Sequence, residues 1–348
     1  MKSYCIKKYG APLERVDTDT PVPKGDEVLL AVVGCGVCHS DLHIWEGYFK
    51  LGGGRKSDLS GIHQLPFTLG HEITGTVKAL GPTASEVREG DNVVVYPWIG
   101  CGECSDCQSG QEQLCNYPKN LGINLAGGYA THVIVPHGRY LLNIGNLASE
   151  LAATYACSGL TAYGALKKLK SKAEGAHLVI IGAGGVGLAA VKIVKAMMQI
   201  KTVVVDINPV KLEAAAAAGA EHIINFNDSD ARKQLYQLTG GVRAIVDFVG
   251  SDETVNFAFG VLGTGGHLVI VGLFGGAAKL PTPMFPLKNL TLMGSYVGSL
   301  EEMNELMSMV SAGKIDPLPV LKRPLDQANN TLRDLEKGNI VGRVVLTP

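Results

Sequence analysis

The chain reads as an α/β protein of two units, a compact barrel-like β domain followed by a doubly wound parallel sheet. Three observations predict this. Short β-branched runs, bounded by Gly, Pro or Asp turn signals, fill residues 1–150, and few stretches there suggest long helices. From Leu178 onward, short apolar strands alternate with helical spacing, which implies a parallel sheet covered by helices on both faces. Between the first of those strands and the first helix stands a glycine-rich turn, Gly182-Ala183-Gly184-Gly185-Val186-Gly187. A length of 348 residues also favours two domains over one.

Composition excludes several classes of function. Hydrophobic residues make up 46% of the chain, enough for an ample core, and the net charge of −1 offers no footprint for nucleic acid or an anionic membrane. Met1-Lys2-Ser3-Tyr4-Cys5 lacks the apolar core of a secretion signal, and the apolar segment at Leu178–Ile193 is too short and glycine-broken to span a bilayer. A cytoplasmic address is the expectation. In a reducing compartment, a chain with 8 cysteines, several of them clustered, reads as one with metal sites and not disulfides.

Taken in order, Glu27–Val33, Thr74–Leu80, Asn92–Tyr96 and Tyr129–Val135 are the strand-like runs of the first domain. After the first of them, Val37-Cys38-His39-Ser40-Asp41-Leu42-His43 gathers a thiol, two imidazoles, a hydroxyl and a carboxylate. A thiolate is a soft ligand for zinc, a hydroxyl two residues on can handle a substrate proton, and an acid nearby can orient a ligand. Alone the stretch reads more often as core than as a site. With Gly70-His71-Glu72, Cys157 and the Gly182 turn it supplies the parts of a metal-dependent redox centre. The intervening Lys50–Gln64, with three successive glycines, reads as a mobile loop, either a lid or interface loop or a solvated insertion.

Cys101-x2-Cys104-x2-Cys107-x7-Cys115 is the most specific metal signal. Four thiolates close a tetrahedral Zn²⁺ site with no open position, so the site is structural; an iron–sulfur cluster is the competing reading. Helical spacing sets in at Leu151–Lys172. The strands that follow are Leu178–Gly182, Thr202–Asp206, His222–Asn225, Ala244–Val249, His267–Gly272 and Leu290–Ser295, with helices at Gly187–Met198 and Pro209–Ala218 among them. Six strands make a full dinucleotide-binding sheet. In the glycine turn, Gly182 makes the tight bend, Gly184 lets backbone approach a pyrophosphate and Gly187 permits close helix–strand packing. Asp206 ends the next strand, where an acid binds the adenosine ribose hydroxyls and repels a 2′-phosphate, so NAD is favoured over NADP. Glu301–Ser311 reads as a helix, and Gly342–Leu346 as a strand returning to the first domain.

With these pieces together the chain resembles, over essentially its whole length, the zinc-containing medium-chain alcohol dehydrogenases. The resemblance rests on Gly36–His43, Gly70-His71-Glu72, the four-cysteine lobe, Cys157-Ser158-Gly159-Leu160-Thr161, the Gly182–Gly187 turn and Gly342-Arg343. It implies a GroES-like catalytic domain over residues 1–152, completed by 296–348, and a Rossmann NAD-binding domain over 153–295. Cys38, His71 and Cys157 match the ligands of a catalytic zinc, with Glu72 as an acid that can approach the metal and Asp41 as the acid that orients the ligand histidine. Ser40 matches the hydroxyl that takes the alcohol proton, and His43 the relay that passes it on through the cofactor ribose. His39 matches a position facing the pyrophosphate. Thr161, Val271, Lys211, Gly185, Val186 and Arg343 match further cofactor contacts, Arg343 at a phosphate. Trp45 and Trp98 fall at pocket-lining positions, where two indoles favour small or flat apolar alcohols; packing in the core is the alternative.

The implied reaction is metal-assisted hydride transfer between a primary or secondary alcohol and NAD, running in reverse on aldehydes and ketones, in a chain with two zinc ions and a homodimeric or homotetrameric assembly. A polyol dehydrogenase of the same superfamily generally carries Glu where Cys157 stands. A non-catalytic NAD-binding protein need not keep an open ligand set. The loop Gly52–Gln64 is longer than in familiar members of the family, which leaves substrate size and assembly open.

Overall fold

The computed structural model describes residues 1–173, 175–198 and 200–348. The first part holds β1 (Lys2–Ile6), β2 (Glu14–Asp17), β3 (Val28–Gly36), α1 (His39–Glu46), β4 (Tyr48–Lys50), β5 (Lys56–Asp58), β6 (Phe67–Thr68), β7 (Glu72–Leu80), β8 (Asn92–Val95), α2 (Ser105–Gln108), β9 (His132–Val135), β10 (Leu141–Asn143) and α3 (Ser149–Thr154). Then come α4 (Leu160–Leu169), β11 (Leu178–Ile181), α5 (Gly185–Met197), β12 (Thr202–Asp206), α6 (Pro209–Ala218), β13 (His222–Asn225), α7 (Ala231–Thr239), β14 (Val242–Asp247), α8 (Asp252–Val261), β15 (Leu262–Ile270), α9 (Met284–Lys288), β16 (Thr291–Gly294) and α10 (Leu300–Ser311). The chain ends in β17 (Val320–Pro324), α11 (Ala328–Glu336) and β18 (Arg343–Thr347).

The second part is a six-stranded parallel sheet in the order β13-β12-β11-β14-β15-β16. Relative to β11 this is 3-2-1-4-5-6, the doubly wound order whose crevice lies at the carboxyl ends of the two central strands. The strands are continuous apolar runs because both faces are covered: Leu178, Val179, Ile180 and Ile181 are all buried. In the first part, a seven-stranded sheet runs β10-β8-β7-β3-β18-β17, with β9 also on β3. β18 pairs antiparallel with β3 at Val345–Gly36 and Leu346–Cys35, so the chain end returns to the first domain's sheet. That return sets Arg343 beside the start of β7.

The first domain is mostly β, as its β-branched runs suggest, with α1 a short helix within it. Cys38 is the extended residue at the head of α1, Asp41 accepts the Cys38 N–H at 2.8 Å, and Gly47, at φ 82°, closes the helix. Lys50–Gln64, expected as a loop, contains a short strand pair. β4 and β5 pair as a hairpin whose turn uses Gly52, Gly53 and Gly54 at φ 77°, 58° and 76°, a left-handed run open to glycine alone. Beyond it, Leu59 is buried, and His63 bonds both the Tyr9 hydroxyl (2.9 Å) and the Ile123 carbonyl (2.7 Å). Leu151–Lys172 is largely helical, as its spacing predicts, and a π-turn at Tyr155–Gly159 joins α3 to α4 and carries Cys157. Such turns widen a helix locally and recur at functional sites.

Candidate active site

β3, α1, β7 and the π-turn converge on one point. Cys38 Sγ, His71, Glu72 and Cys157 Sγ each offer a ligand atom, all within 4.8 Å of one another and all on buried residues. The two sulfurs lie 3.9 Å apart. Zinc–sulfur bonds of about 2.3 Å at a tetrahedral angle place two thiolates about 3.8 Å apart, so the spacing fits a shared ion. His71 Nε2 is buried without a partner, and a lone pair so placed fits a metal. On the other edge of the ring, His71 Nδ1 lies 3.2 Å from Asp41 Oδ1. Asp41 Oδ2 takes the Cys38 N–H and the Tyr129 hydroxyl (3.0 Å). One carboxylate thus orients both a thiolate and an imidazole.

The two sulfurs differ in their electrostatics, one favouring the thiolate and the other the thiol. The Cys157 thiol bonded to Cys38 holds Cys38 well below the usual thiol range, and the same contact together with burial pushes Cys157 up. Burial would lower His71, but Asp41 and then Cys38 together more than offset it and raise the imidazole. Glu72 stands at the head of β7, where its Oε1 accepts the Ser158 N–H (3.1 Å) and its Oε2 accepts from Arg343.

In the four-cysteine lobe, Cys104 Sγ lies 3.5 Å from Cys107 Sγ and 3.8 Å from Cys115 Sγ, and Cys101 Sγ lies 3.9 Å from Cys107 Sγ. Four sulfurs at this spacing suit a closed tetrahedral ion.

The glycine turn lies beside the catalytic cluster. Gly182 bends at φ 94°, and a Cβ on Gly187 would overlap the Gly182 carbonyl oxygen. A Cβ on Gly185 would strike the Arg343 side chain, whereas one on Gly184 would meet open space. Gly184 heads α5 without a side-chain cap, so the first N–H groups of the helix face that space, an arrangement suited to an anion.

Comparison with known proteins decides the family. The alcohol dehydrogenase GroES-like domain matches residues 24–146, and the zinc-binding dehydrogenase domain matches residues 185–312. The chain is 38% identical to an NAD-dependent alcohol dehydrogenase of Sulfurisphaera tokodaii over 100% of both chains. It is 34% identical to an alcohol dehydrogenase of Geobacillus stearothermophilus over 99% of both. The crystal structure of the alcohol dehydrogenase from Aeropyrum pernix superposes with a TM-score of 0.90 over 100% of both chains, at 32% identity. The chain belongs to the zinc-containing medium-chain alcohol dehydrogenases. It is an enzyme.

The remaining residues singled out in the sequence of this alcohol dehydrogenase fall into place around that core. Ser40 is half-buried in the first turn of α1, and His43, one turn on, is buried. Both ring nitrogens of His43 lack partners, and burial, then the neighbouring His39, lower it to about 4. His39 is exposed, its ring 5.4 Å from that of His43 and 6.2 Å from Phe274 across the crevice. Thr161 Oγ1 lies 3.9 Å from Cys157 Sγ. Val271 follows β15, its N–H bonded to the Asp247 carbonyl, and Lys211 lies half-buried in the first turn of α6. Asp206 does two things at once: Oδ2 takes the Ala183 N–H at 2.7 Å, bracing the glycine turn, and Oδ1 takes the Asn208 N–H at 2.8 Å.

Trp98 and Trp45 part company. Trp98 is buried with its ring 5.4 Å from His71 and its Nε1 donating to the Ala156 carbonyl at 3.0 Å. Trp45 instead donates to the Ala11 carbonyl at 2.6 Å, so its indole fastens α1 to the Gly10–Ala11 turn and not to the ligand cluster. In its place the structure supplies Tyr296, edge-on to Trp98 at 5.6 Å and 43% exposed. Nothing in the sequence marks Tyr296, since it follows β16 with no motif of its own. Arg343 is held by Glu72, with Nε unpartnered beside Gly185; a link between cofactor turn and ligand cluster is not visible from the pair Gly342-Arg343.

Proposed function

We propose that Cys38, His71 and Cys157 hold a catalytic zinc while Cys101, Cys104, Cys107 and Cys115 hold a structural one, two ions per chain. By its family the protein is an oxidoreductase acting on alcohols with NAD. When bound, the zinc would supply a Lewis acid for the substrate oxygen and the nicotinamide a hydride acceptor. The chain's own part is to bind, orient and move a proton. Ser40 and His43, three residues apart on one helix, share a face. Ser40 takes the alcohol proton; His43, kept neutral by its burial, has free ring nitrogens to pass it on. Glu72 lies beside the ligands, and Asp41 keeps His71 in the tautomer whose Nε2 is free to ligate. Gly182, Gly184, Gly185, Val186 and Gly187 cradle the pyrophosphate, with Asp206 at the adenosine ribose. His39, Lys211, Thr161, Val271 and Arg343 line the remainder of the cofactor crevice, and Trp98 covers one side of the substrate pocket.

The observation that carries this reading is the unpartnered His71 Nε2 meeting two thiol sulfurs beside an uncapped, glycine-built helix start. In support of a division into residues 1–152 with 296–348, and 153–295, β18 joins the sheet of β3 while β11–β16 form a sheet of their own. A homodimer or homotetramer, as the family resemblance implies, is the assembly proposed. The free cysteines favour the cytoplasm. No helix among the described residues is long and apolar enough to cross a membrane. The test is NADH absorbance with primary, secondary, cyclic and aromatic alcohols, with NAD and NADP, before and after chelation. Turnover with NAD that a chelator abolishes and zinc restores is the expected result; turnover indifferent to zinc removal contradicts it.

A further inference from the structure

The floor of the cofactor crevice holds a buried carboxylate that hydride transfer leaves without a task. Asp247 ends β14, paired with Ile181 of β11 on one side and with Ile270 of β15 on the other, so it stands between the glycine turn and Val271. It is fully buried, and burial pushes its carboxyl up. A carboxylate stays in such a place only where hydrogen bonds hold it. Here every side-chain bond goes to the loop that follows β14 or to the helix start behind that loop.

Asp247 Oδ1 accepts the Val249 N–H at 2.9 Å and the Gly250 N–H at 3.0 Å, and Oδ2 accepts the Thr254 hydroxyl at 2.7 Å. The Asp247 carbonyl accepts the Val271 N–H at 2.9 Å and the Gly272 N–H at 3.1 Å. One residue thus turns both strand-end loops, 248–251 and 271–275. The loops are then joined to each other: Phe274 N–H bonds the Val249 carbonyl at 3.0 Å, and Gly275 N–H bonds the Gly250 carbonyl at 3.2 Å. A Cβ on Gly250 would overlap the Gly272 carbonyl, and one on Gly272 the Val249 carbonyl, so the two backbones meet with no slack. The joined loops touch both sides of the crevice. A Cβ on Gly182 would strike the Val249 side chain, which therefore packs on the cofactor turn. On the opposite side the Phe274 ring lies 6.2 Å from that of His39, and a Cβ on Gly275 would overlap the Lys50 carbonyl at the end of β4.

We infer that Asp247 is a positioning residue for hydride transfer: through the joined loops it fixes Val271 and the width of the crevice in which a nicotinamide faces the ligand cluster. The inference rests on the reading above that this crevice takes NAD, and it adds a residue that touches neither cofactor nor substrate. Without the carboxylate, two N–H groups and a hydroxyl lose their acceptor, and the loops are free to part. A displacement of about 1 Å at the reacting atoms costs on the order of 100-fold in rate. An amide at this position keeps most of the bonds. Its oxygen accepts the same two N–H groups, and its nitrogen donates to the Thr254 hydroxyl, which turns its proton to the Ser251 carbonyl 3.1 Å away.

The test compares wild type, D247N, D247A and G272A, zinc-loaded, with the alcohol that wild type oxidises fastest. Single-turnover NADH absorbance at saturating NAD reads hydride transfer, NADH fluorescence titration reads binding without turnover, and urea unfolding reads stability. G272A drives the loops apart with Asp247 intact, which keeps the test open where D247A does not fold. D247A and G272A should slow hydride transfer about 10- to 100-fold and raise the NADH Kd about tenfold, while D247N changes each by less than about threefold. A lower urea midpoint with hydride transfer or NADH affinity within about twofold of wild type would make Asp247 a stabilising residue only and overturn the inference. D247N as impaired as D247A would also overturn it, since the hydrogen bonds would not explain the effect. Either result leaves the dehydrogenase standing. Absence of wild-type turnover on any alcohol overturns the dehydrogenase reading and this inference with it.

Discussion

Replacing Arg343 by methionine tests how far the catalytic cluster depends on the chain's last strand. The Arg343 and Glu72 side chains are both buried, and they pair across 271 residues of sequence. Burial pushes the Glu72 carboxyl up, and the Arg343 charge is the largest effect holding it down. In R343M the carboxylate keeps only the Ser158 N–H. Removing one partner of a buried ion pair costs about 3–5 kcal/mol, mostly because the other charge is stranded. The companion E72Q/R343M removes both charges, and apolar or neutral replacements of buried pairs cost little, so the double variant should sit within about 1–2 kcal/mol of wild type. E72Q likewise strands the buried Arg343 charge at about 3–5 kcal/mol, so the cycle gives a coupling of at least about 4 kcal/mol. Urea unfolding of the four proteins measures it, with zinc present throughout. A cost for R343M below about 1 kcal/mol, or costs that simply add, would show that the pair is a bystander.

Three further outcomes follow from the same geometry. H43Q should lower kcat about tenfold or more at pH 7, with the deficit shrinking as pH rises and solvent base replaces the relay; a uniform deficit across pH contradicts the relay. Because His43 is depressed to about 4 in the folded state, its contribution to stability is complete above the unfolded value near 6.5 and is lost as pH falls towards 4. Denaturant titrations should therefore show about 3 kcal/mol less acid destabilisation in H43Q than in wild type between those limits. G187A places a methyl on the Gly182 carbonyl oxygen, so NADH fluorescence titration should give a Kd raised about tenfold or more while the lobe keeps its zinc; unaltered NADH affinity refutes the packing argument. D206G loses the Ala183 and Asn208 N–H bonds as well as the ribose acceptor, so NAD affinity should fall about tenfold and NADP turnover appear, and an unchanged cofactor preference counts against the assignment.

Much of this molecule is written locally and is legible in the residues. The parallel sheet announces itself as short apolar runs at regular intervals, and Thr202–Asp206, His222–Asn225 and Pro209–Ala218 are bounded in the structure as the sequence predicts. The four-cysteine lobe is also local, its ligands within one loop. What the sequence hides is non-local. That Cys38, His71 and Cys157 share a point depends on β3 and β7 pairing from Val28–Leu80 to Gly36–Glu72, and on a π-turn that periodicity cannot distinguish from helix. In Lys50–Gln64, polar and glycine-rich composition hides a short hairpin with three left-handed glycines and the His63 bonds. Trp45 misleads because an indole's destination is set by a carbonyl 34 residues away. Arg343 acquires its meaning from strand pairing alone.

The most direct measurement is anomalous diffraction at the zinc edge on crystals of the protein grown with NAD. Two peaks per chain are predicted, one inside the cysteine lobe and one about 2.3 Å from the sulfurs of Cys38 and Cys157 and about 2.0 Å from His71 Nε2, facing the nicotinamide. A peak in the lobe with none between those three side chains would contradict the account.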